Sequence, residues 1–119
     1  MKYNNRLIAA FFTSTRGVIS HAKAIALEEE VRDLKTEIHG YKTEISGYEA
    51  KINGYETDFD QAKREGNDGN MEIYANFITA TTKIITATTK CHTATTNTLN
   101  ILLQQQQKEQ EEEQKCKVK

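Results

Sequence analysis

The fold is decided by residues 38–55, which read IHGYKTEISGYEAKINGY, with isoleucine, glycine and tyrosine returning every seven residues. A second seven-residue repeat follows at residues 79–97, which read TATTKIITATTKCHTATTN. A period of seven is typical of helices that pack lengthwise, because seven residues make nearly two helical turns and return a side chain to the same face. The two repeats therefore predict two long helices.

The first repeat lies within one predicted helix over residues 20–65. With Ile38 at heptad position a, every a and d position from Ala24 to Ala62 is apolar or aromatic, and the e and g positions around the repeat are charged. Apolar a and d positions between charged flanks are typical of a coiled-coil seam. The predicted interaction seam of this helix consists of Val31, Leu34, Ile38, Tyr41, Ile45, Tyr48, Ile52, Tyr55 and Phe59.

A turn is predicted at residues 66–70, because glycine and asparagine accept positive φ and Gly66 is suited to cap the first helix. The second predicted helix spans residues 71–104 and carries a stripe of apolar and small side chains at alternating steps of four and three. A column beside that stripe broadens it and contains Ile78, Ile85, His92 and Leu99. The predicted seam of the second helix consists of Phe77, Ala80, Ile84, Ala87, Cys91, Ala94 and Ile101.

These elements predict an all-α fold, a long antiparallel coiled-coil hairpin over residues 27–104. Large side chains on the first helix opposite small ones on the second would fill space without strain. The expected register places Phe59 opposite Phe77 and Ile45 opposite Cys91. Because a hairpin leaves part of each seam exposed, we also expect an extra N-terminal helix or assembly into a bundle. The alternatives are a parallel oligomer through the first helix alone and a β-rich segment over residues 78–98.

The two ends of the chain differ in composition from the hairpin. Residues 1–26 are basic and free of acidic side chains, with apolar residues at helical spacing, and Gly17 is a candidate break before the first long helix. Such a segment is typical of an organellar transit peptide, of a membrane-surface helix, or of a short helix packed on the rest of the chain. Residues 105–119 form a low-complexity tail rich in Gln, Glu and Lys, in which the second helix can continue.

Composition narrows the protein class. With 119 residues the chain has room for one domain, and the absence of proline allows long uninterrupted helices. The net charge of −1 gives no reason to expect a nucleic-acid partner. Two cysteines, Cys91 and Cys116, are too few for a disulfide scaffold and indicate reduced thiols. We therefore expect an intracellular, cytoplasmic protein, with an organellar or membrane-peripheral location through residues 1–26 as the alternative.

No pattern in the sequence indicates catalysis. The three histidines lack a ligand partner at metal-binding spacing, no glycine-rich phosphate loop occurs, and no serine or cysteine lies in a nucleophile motif. A two-helix hairpin is also too thin to form an enclosed pocket. The sequence thus predicts a protein that is not an enzyme and has no cofactor, metal or catalytic residue.

The predicted function is that of a structural or adaptor protein, which associates with itself or binds an unidentified protein partner through its helices. One alternative is a small protein directed to a membrane or organelle by residues 1–26. Another is a secreted or secretion-associated factor, or a chaperone, that folds on a partner helix. The predicted first helix is disfavoured by its three glycines, Gly40, Gly47 and Gly54, since each glycine costs about 1 kcal/mol relative to alanine inside a helix. They indicate either expansion of a short repeat or a groove that another helix approaches.

Overall fold

The structure is a computed structural model that describes the backbone of residues 5–118 and the side chains of residues 21–112, 114 and 115. Helix α1 spans Asn5–Arg64 and helix α2 spans Asp68–Val118, and the described backbone contains no strand. The predicted all-α helical hairpin is confirmed. The β-rich alternative over residues 78–98 is wrong, because that whole segment is helical.

Helix α1 has no break at Gly17, which corrects the prediction of a separate N-terminal helix. The low-complexity tail continues α2 as helix up to Val118. The predicted address or anchor role of residues 1–26 depends on their side chains, and those of residues 1–20 lie outside the described ones. The Cys116 thiol lies outside them as well.

The chain divides into two compact units, one formed by Leu34–Thr98 and the other by Met1–Asp33 with Leu99–Lys119. In the Leu34–Thr98 unit the two helices lie antiparallel on either side of the turn, and the rings of Tyr55 and Phe77 lie 5.2 Å apart, centroid to centroid. The other unit buries Leu27, Val31 and Leu99. It also pairs the exposed Lys23 with Glu109 at 3.9 Å, a solvent-screened contact that adds little stability.

The turn is set by a cap on each helix. Gly66 has a φ of 68°, its N–H donates to the carbonyl of Lys63 at 3.2 Å, and Asn67 N–H donates to Ala62 at 2.8 Å. This pattern is the Schellman motif, and it confirms Gly66 as the left-handed cap. The Asn67 side chain then accepts a hydrogen bond from the N–H of Asn70 at 3.1 Å. Because Asn67 caps α2, the turn ends there and is shorter than the predicted residues 66–70.

The face of α1 that packs within the chain is the one predicted from the sequence. Val31 is buried and the other predicted positions are half-buried, whereas Ala24, at the start of the a and d pattern, is exposed. The half-buried positions are Leu34, Ile38, Tyr41, Ile45, Tyr48, Ile52, Tyr55 and Phe59.

The face of α2 that packs within the chain differs from the prediction. The seam lies on the neighbouring column, one residue further along, and the stripe predicted to face α1 is exposed to solvent. The residues that are buried or half-buried on α2 include Met71, Tyr74, Ile78, Thr81, Ile85, Thr88, His92, Thr95, Leu99 and Leu102. The predicted positions that are exposed instead are Phe77, Ala80, Ile84, Ala87, Cys91, Ala94 and Ile101.

The register also differs from the prediction by about one helical turn. The expected register places Phe77 opposite Phe59, whereas the ring of Phe77 contacts Tyr55, four residues earlier on α1. Phe77 therefore contacts an α1 seam residue while its own side chain stays 45% exposed.

Candidate functional site

An uninterrupted apolar stripe runs along the exposed side of α2 within the Leu34–Thr98 unit. We call it the outer stripe; it consists of Ile73, Phe77, Ala80, Ile84, Ala87, Cys91, Ala94 and Thr98. Its three largest side chains are 48% (Ile73), 45% (Phe77) and 45% (Ile84) exposed. A row of large apolar side chains that are each nearly half exposed is uncommon on the surface of a soluble monomer, because burial of each side chain would be favourable.

The outer stripe exists because α2 carries two heptad patterns one residue apart. With Ile78 at position a, the a and d positions pack on α1, and the c and g positions form the outer stripe. The g positions border the d positions on a helix, so the outer stripe adjoins the intrachain seam along its length. The apolar surface of α2 is thus wider than one partner helix can cover.

Aromatic side chains border the outer stripe. The ring of Phe77 contacts Tyr55 at 5.2 Å and Tyr74 at 6.4 Å between centroids. Lys51 places its Nζ 5.5 Å from the centre of the Tyr48 ring, a cation–π distance. The outer stripe on α2 is therefore bordered by aromatic side chains of α1.

The pKa of Tyr41 is raised by its surroundings. Its hydroxyl donates to Glu37 Oε1 at 3.0 Å. This hydrogen bond is the main cause that raises the pKa of Tyr41, followed by burial and by the negative charge of Glu37, whereas Thr95 opposes the shift. The tyrosine thus remains a neutral hydrogen-bond donor over a wider range of pH than a free one.

The three repeat glycines lie on the same side of the hairpin as the outer stripe. Gly40, Gly47 and Gly54 occupy position c of α1, and the c and g positions of two antiparallel helices share one face. A Cβ built on any of them meets no described atom within 4 Å. The glycines are therefore not required by packing inside the described chain.

The face of α2 opposite the outer stripe is polar, and its threonine hydroxyls bond within their own helix. Its threonines donate their hydroxyls to the carbonyl four residues earlier, among them Thr79 to Ala75 at 3.0 Å and Thr86 to Thr82 at 3.0 Å. Such bonds satisfy the hydroxyl within its own helix and explain how so many threonines fit a helix. The hairpin consequently has one apolar side and one threonine-rich side.

His92 is a seam residue that sequence reasoning placed at the boundary of the stripe. Its Nε2 is buried and has no hydrogen-bond partner among the described residues. The signal was present in the sequence, since His92 stands seven residues after Ile85 and seven before Leu99. A buried nitrogen without a partner weakens the seam at this level.

The described residues hold no group of three or more His, Cys, Asp or Glu placed to bind a metal ion. An open cleft of about 480 Å³ in the unit of Met1–Asp33 and Leu99–Lys119 is lined by Lys23, Glu30, Asp33 and Glu109, among others. Over the residues described, neither helix contains a stretch with the length and hydropathy of a bilayer crossing. Comparisons with known protein families, curated proteins and solved structures find no match to this chain.

Proposed function

We propose that this protein is a non-enzymatic structural or adaptor protein that works by coiled-coil self-association, with the outer stripe of α2 as its contact surface. The observation that supports this proposal is the stripe itself, which stays exposed after α1 has covered the adjoining face of α2. Exposed apolar surface in a continuous row is typical of protein–protein contacts, because its removal from water is favourable.

The chemistry of the stripe supports assembly rather than catalysis. Alanine, isoleucine and phenylalanine pack against other side chains but transfer no protons and bind no charged substrate. The thiol of Cys91 is exposed and free, and it is flanked on the stripe by two alanines, Ala87 and Ala94. A surface of this kind suits a second helix of similar character.

The test is a pair of charged substitutions two residues apart on α2. Ile84→Asp places a carboxylate on the outer stripe, and Thr86→Asp places the same group on the threonine-rich face. Mass is measured by sedimentation equilibrium in reductant, with circular dichroism on the same samples. We expect the wild type and Thr86→Asp to be dimers or larger, and Ile84→Asp to be a helical monomer.

Two results would contradict the proposal. A wild-type chain that stays monomeric up to the highest soluble concentration has no self-association to explain. Equal mass for Ile84→Asp and Thr86→Asp would mean that association uses a surface other than the outer stripe.

A further inference from the structure

We propose that the partner on the outer stripe is a second copy of this chain, with its α2 antiparallel to the first about a two-fold axis. This inference rests on the proposed function and adds the orientation and register of the contact. It is carried by the order of side-chain sizes along α2 and by the charges on the same face of α1.

The outer stripe is complementary in size to itself when read in the opposite direction. An axis midway between Ile84 and Ala87 sets every isoleucine and the phenylalanine of the stripe against a small side chain. The facing pairs, each occurring twice, are Ile84 with Ala87, Ala80 with Cys91, Phe77 with Ala94, and Ile73 with Thr98. A parallel pairing in register would instead stack Phe77 on Phe77 and Ala80 on Ala80, so that crowded layers would alternate with gaps.

The level of this axis on α1 follows from the intrachain contacts. The ring of Tyr55 contacts that of Phe77, with 5.2 Å between the centroids. The axis lies between residues 85 and 86 of α2, about eight and a half residues beyond Phe77. Because the helices are antiparallel, the same distance along α1 from Tyr55 leads to Ser46 and Gly47, and the axis passes α1 there.

The charges of α1 are complementary about the same axis. Glu44 and Lys51 stand on either side of this level, about 2.5 and 4.5 residues from it, both at position g of the face that carries the stripe. Each Glu44 then lies about 3 Å, measured along the helices, from the level of Lys51 of the other copy. The two long side chains can span this offset, which gives two opposite-charge pairs per dimer. Glu37 and Asp58 would also face each other, but near the ends of the contact, where salt screens like charges.

The three repeat glycines, Gly40, Gly47 and Gly54, leave space for the second copy in this arrangement. Gly47 lies almost on the axis, and Gly40 and Gly54 flank it by one heptad each. Because none of them meets a described atom within 4 Å where a Cβ would stand, the absent side chains leave room for the second copy to approach. The c positions of α1 are thus open on the face where the partner packs.

The contact is large enough for a stable dimer. From Ile73 to Thr98 a rise of about 1.5 Å per residue gives about 38 Å, and two adjacent helices are about 20 Å wide. The product is roughly 750 Å² per copy, close to the ~800 Å² per partner of standard-size interfaces.

The register is tested by disulfide cross-linking in the full chain carrying Cys116→Ser. Ala80→Cys brings a thiol opposite Cys91 of the other copy, so mild oxidation should give a covalent dimer. Cys91 alone should not cross-link, because the two Cys91 residues lie about 16 Å apart along the helices, beyond the ~7 Å limit between Cα atoms. Thr86→Cys, on the opposite face, is the matched control and should also remain uncross-linked.

The outcomes separate the register from the proposed function. A dimer by mass in which Cys91 cross-links alone, or in which Ala80→Cys does not cross-link, overturns the antiparallel pairing and leaves self-association standing. A monomer by mass overturns both. Binding of a different protein without any self-association also overturns the second copy as the occupant.

Charge reversal gives a second, independent test. Lys51→Glu should raise the dissociation constant of the dimer several-fold, and Glu44→Lys with Lys51→Glu should restore it to within about two-fold of the wild type. Lys42→Glu, at an e position on the other face, is the control and should leave it unchanged. A double variant as weak as Lys51→Glu alone overturns the Glu44–Lys51 pairing.

Discussion

Ile84 and Ile85 are adjacent and chemically identical, yet they lie on different faces of α2. Ile84 is 45% exposed on the outer stripe, and Ile85 is half-buried on the face that packs within the chain. Ile85→Ala should therefore destabilise the hairpin itself, whereas Ile84→Ala should leave the hairpin nearly unchanged and weaken only its association.

The expected magnitudes follow from burial. Truncation of a core isoleucine to alanine costs about 2–5 kcal/mol. Since Ile85 is only half-buried, we expect Ile85→Ala to lower the free energy of unfolding by roughly 1–2 kcal/mol, of which the better helix propensity of alanine restores a few tenths. Ile84→Ala removes little contact inside the chain and should change the free energy of unfolding by at most about 0.5 kcal/mol.

The assay is urea unfolding followed by circular dichroism, at a protein concentration below that at which the chain associates. Under that condition the transition reports on the single hairpin rather than on mass action between copies. Equal losses at the two positions, or a larger loss at Ile84, would refute the assignment of the α2 seam.

Three further predictions concern single residues. Gly66→Ala should lower stability by about 1–2 kcal/mol in the same urea assay, because φ at this position is 68°; no loss would refute the capping role. His92→Leu should raise stability by about 1 kcal/mol by removing a buried nitrogen without a partner, and a loss would mean that the imidazole is bonded in solution. The raised pKa of Tyr41 means that the folded chain holds this proton more tightly than the unfolded chain, so its contribution is present below about pH 10 and declines as pH rises through the folded-state pKa. Tyr41→Phe should abolish that alkaline decline in unfolding experiments, and an unchanged decline would exclude Tyr41 as its source.

The face of α1 could be read from the sequence because only one of its faces is apolar. From Leu27 to Ala62 the a and d positions are apolar and the g positions around the repeat are charged, so no other face competes. The cap at Gly66 could also be predicted, since glycine after a charged helix end, followed by asparagine, is typical of a left-handed helix cap.

The face of α2 could not be read in the same way. Its two candidate stripes run one residue apart, with Ile84 on one and Ile85 on the other, and both are apolar or small over the same length. The expectation of large side chains opposite small ones favoured the stripe with more alanine. The folded chain instead packs the column that contains Ile78, Ile85 and Leu99.

The outer stripe is exposed in the single hairpin, and we expect it to be covered in the assembly. Cys91 reports on both states, because it lies on the stripe with an exposed thiol. In the Cys116→Ser chain, the rate of thiol labelling at Cys91 should approach that of a free cysteine in dilute solution and fall as concentration rises through the association range. A labelling rate that stays fast at every concentration while the measured mass increases would mean that the assembly does not cover the outer stripe.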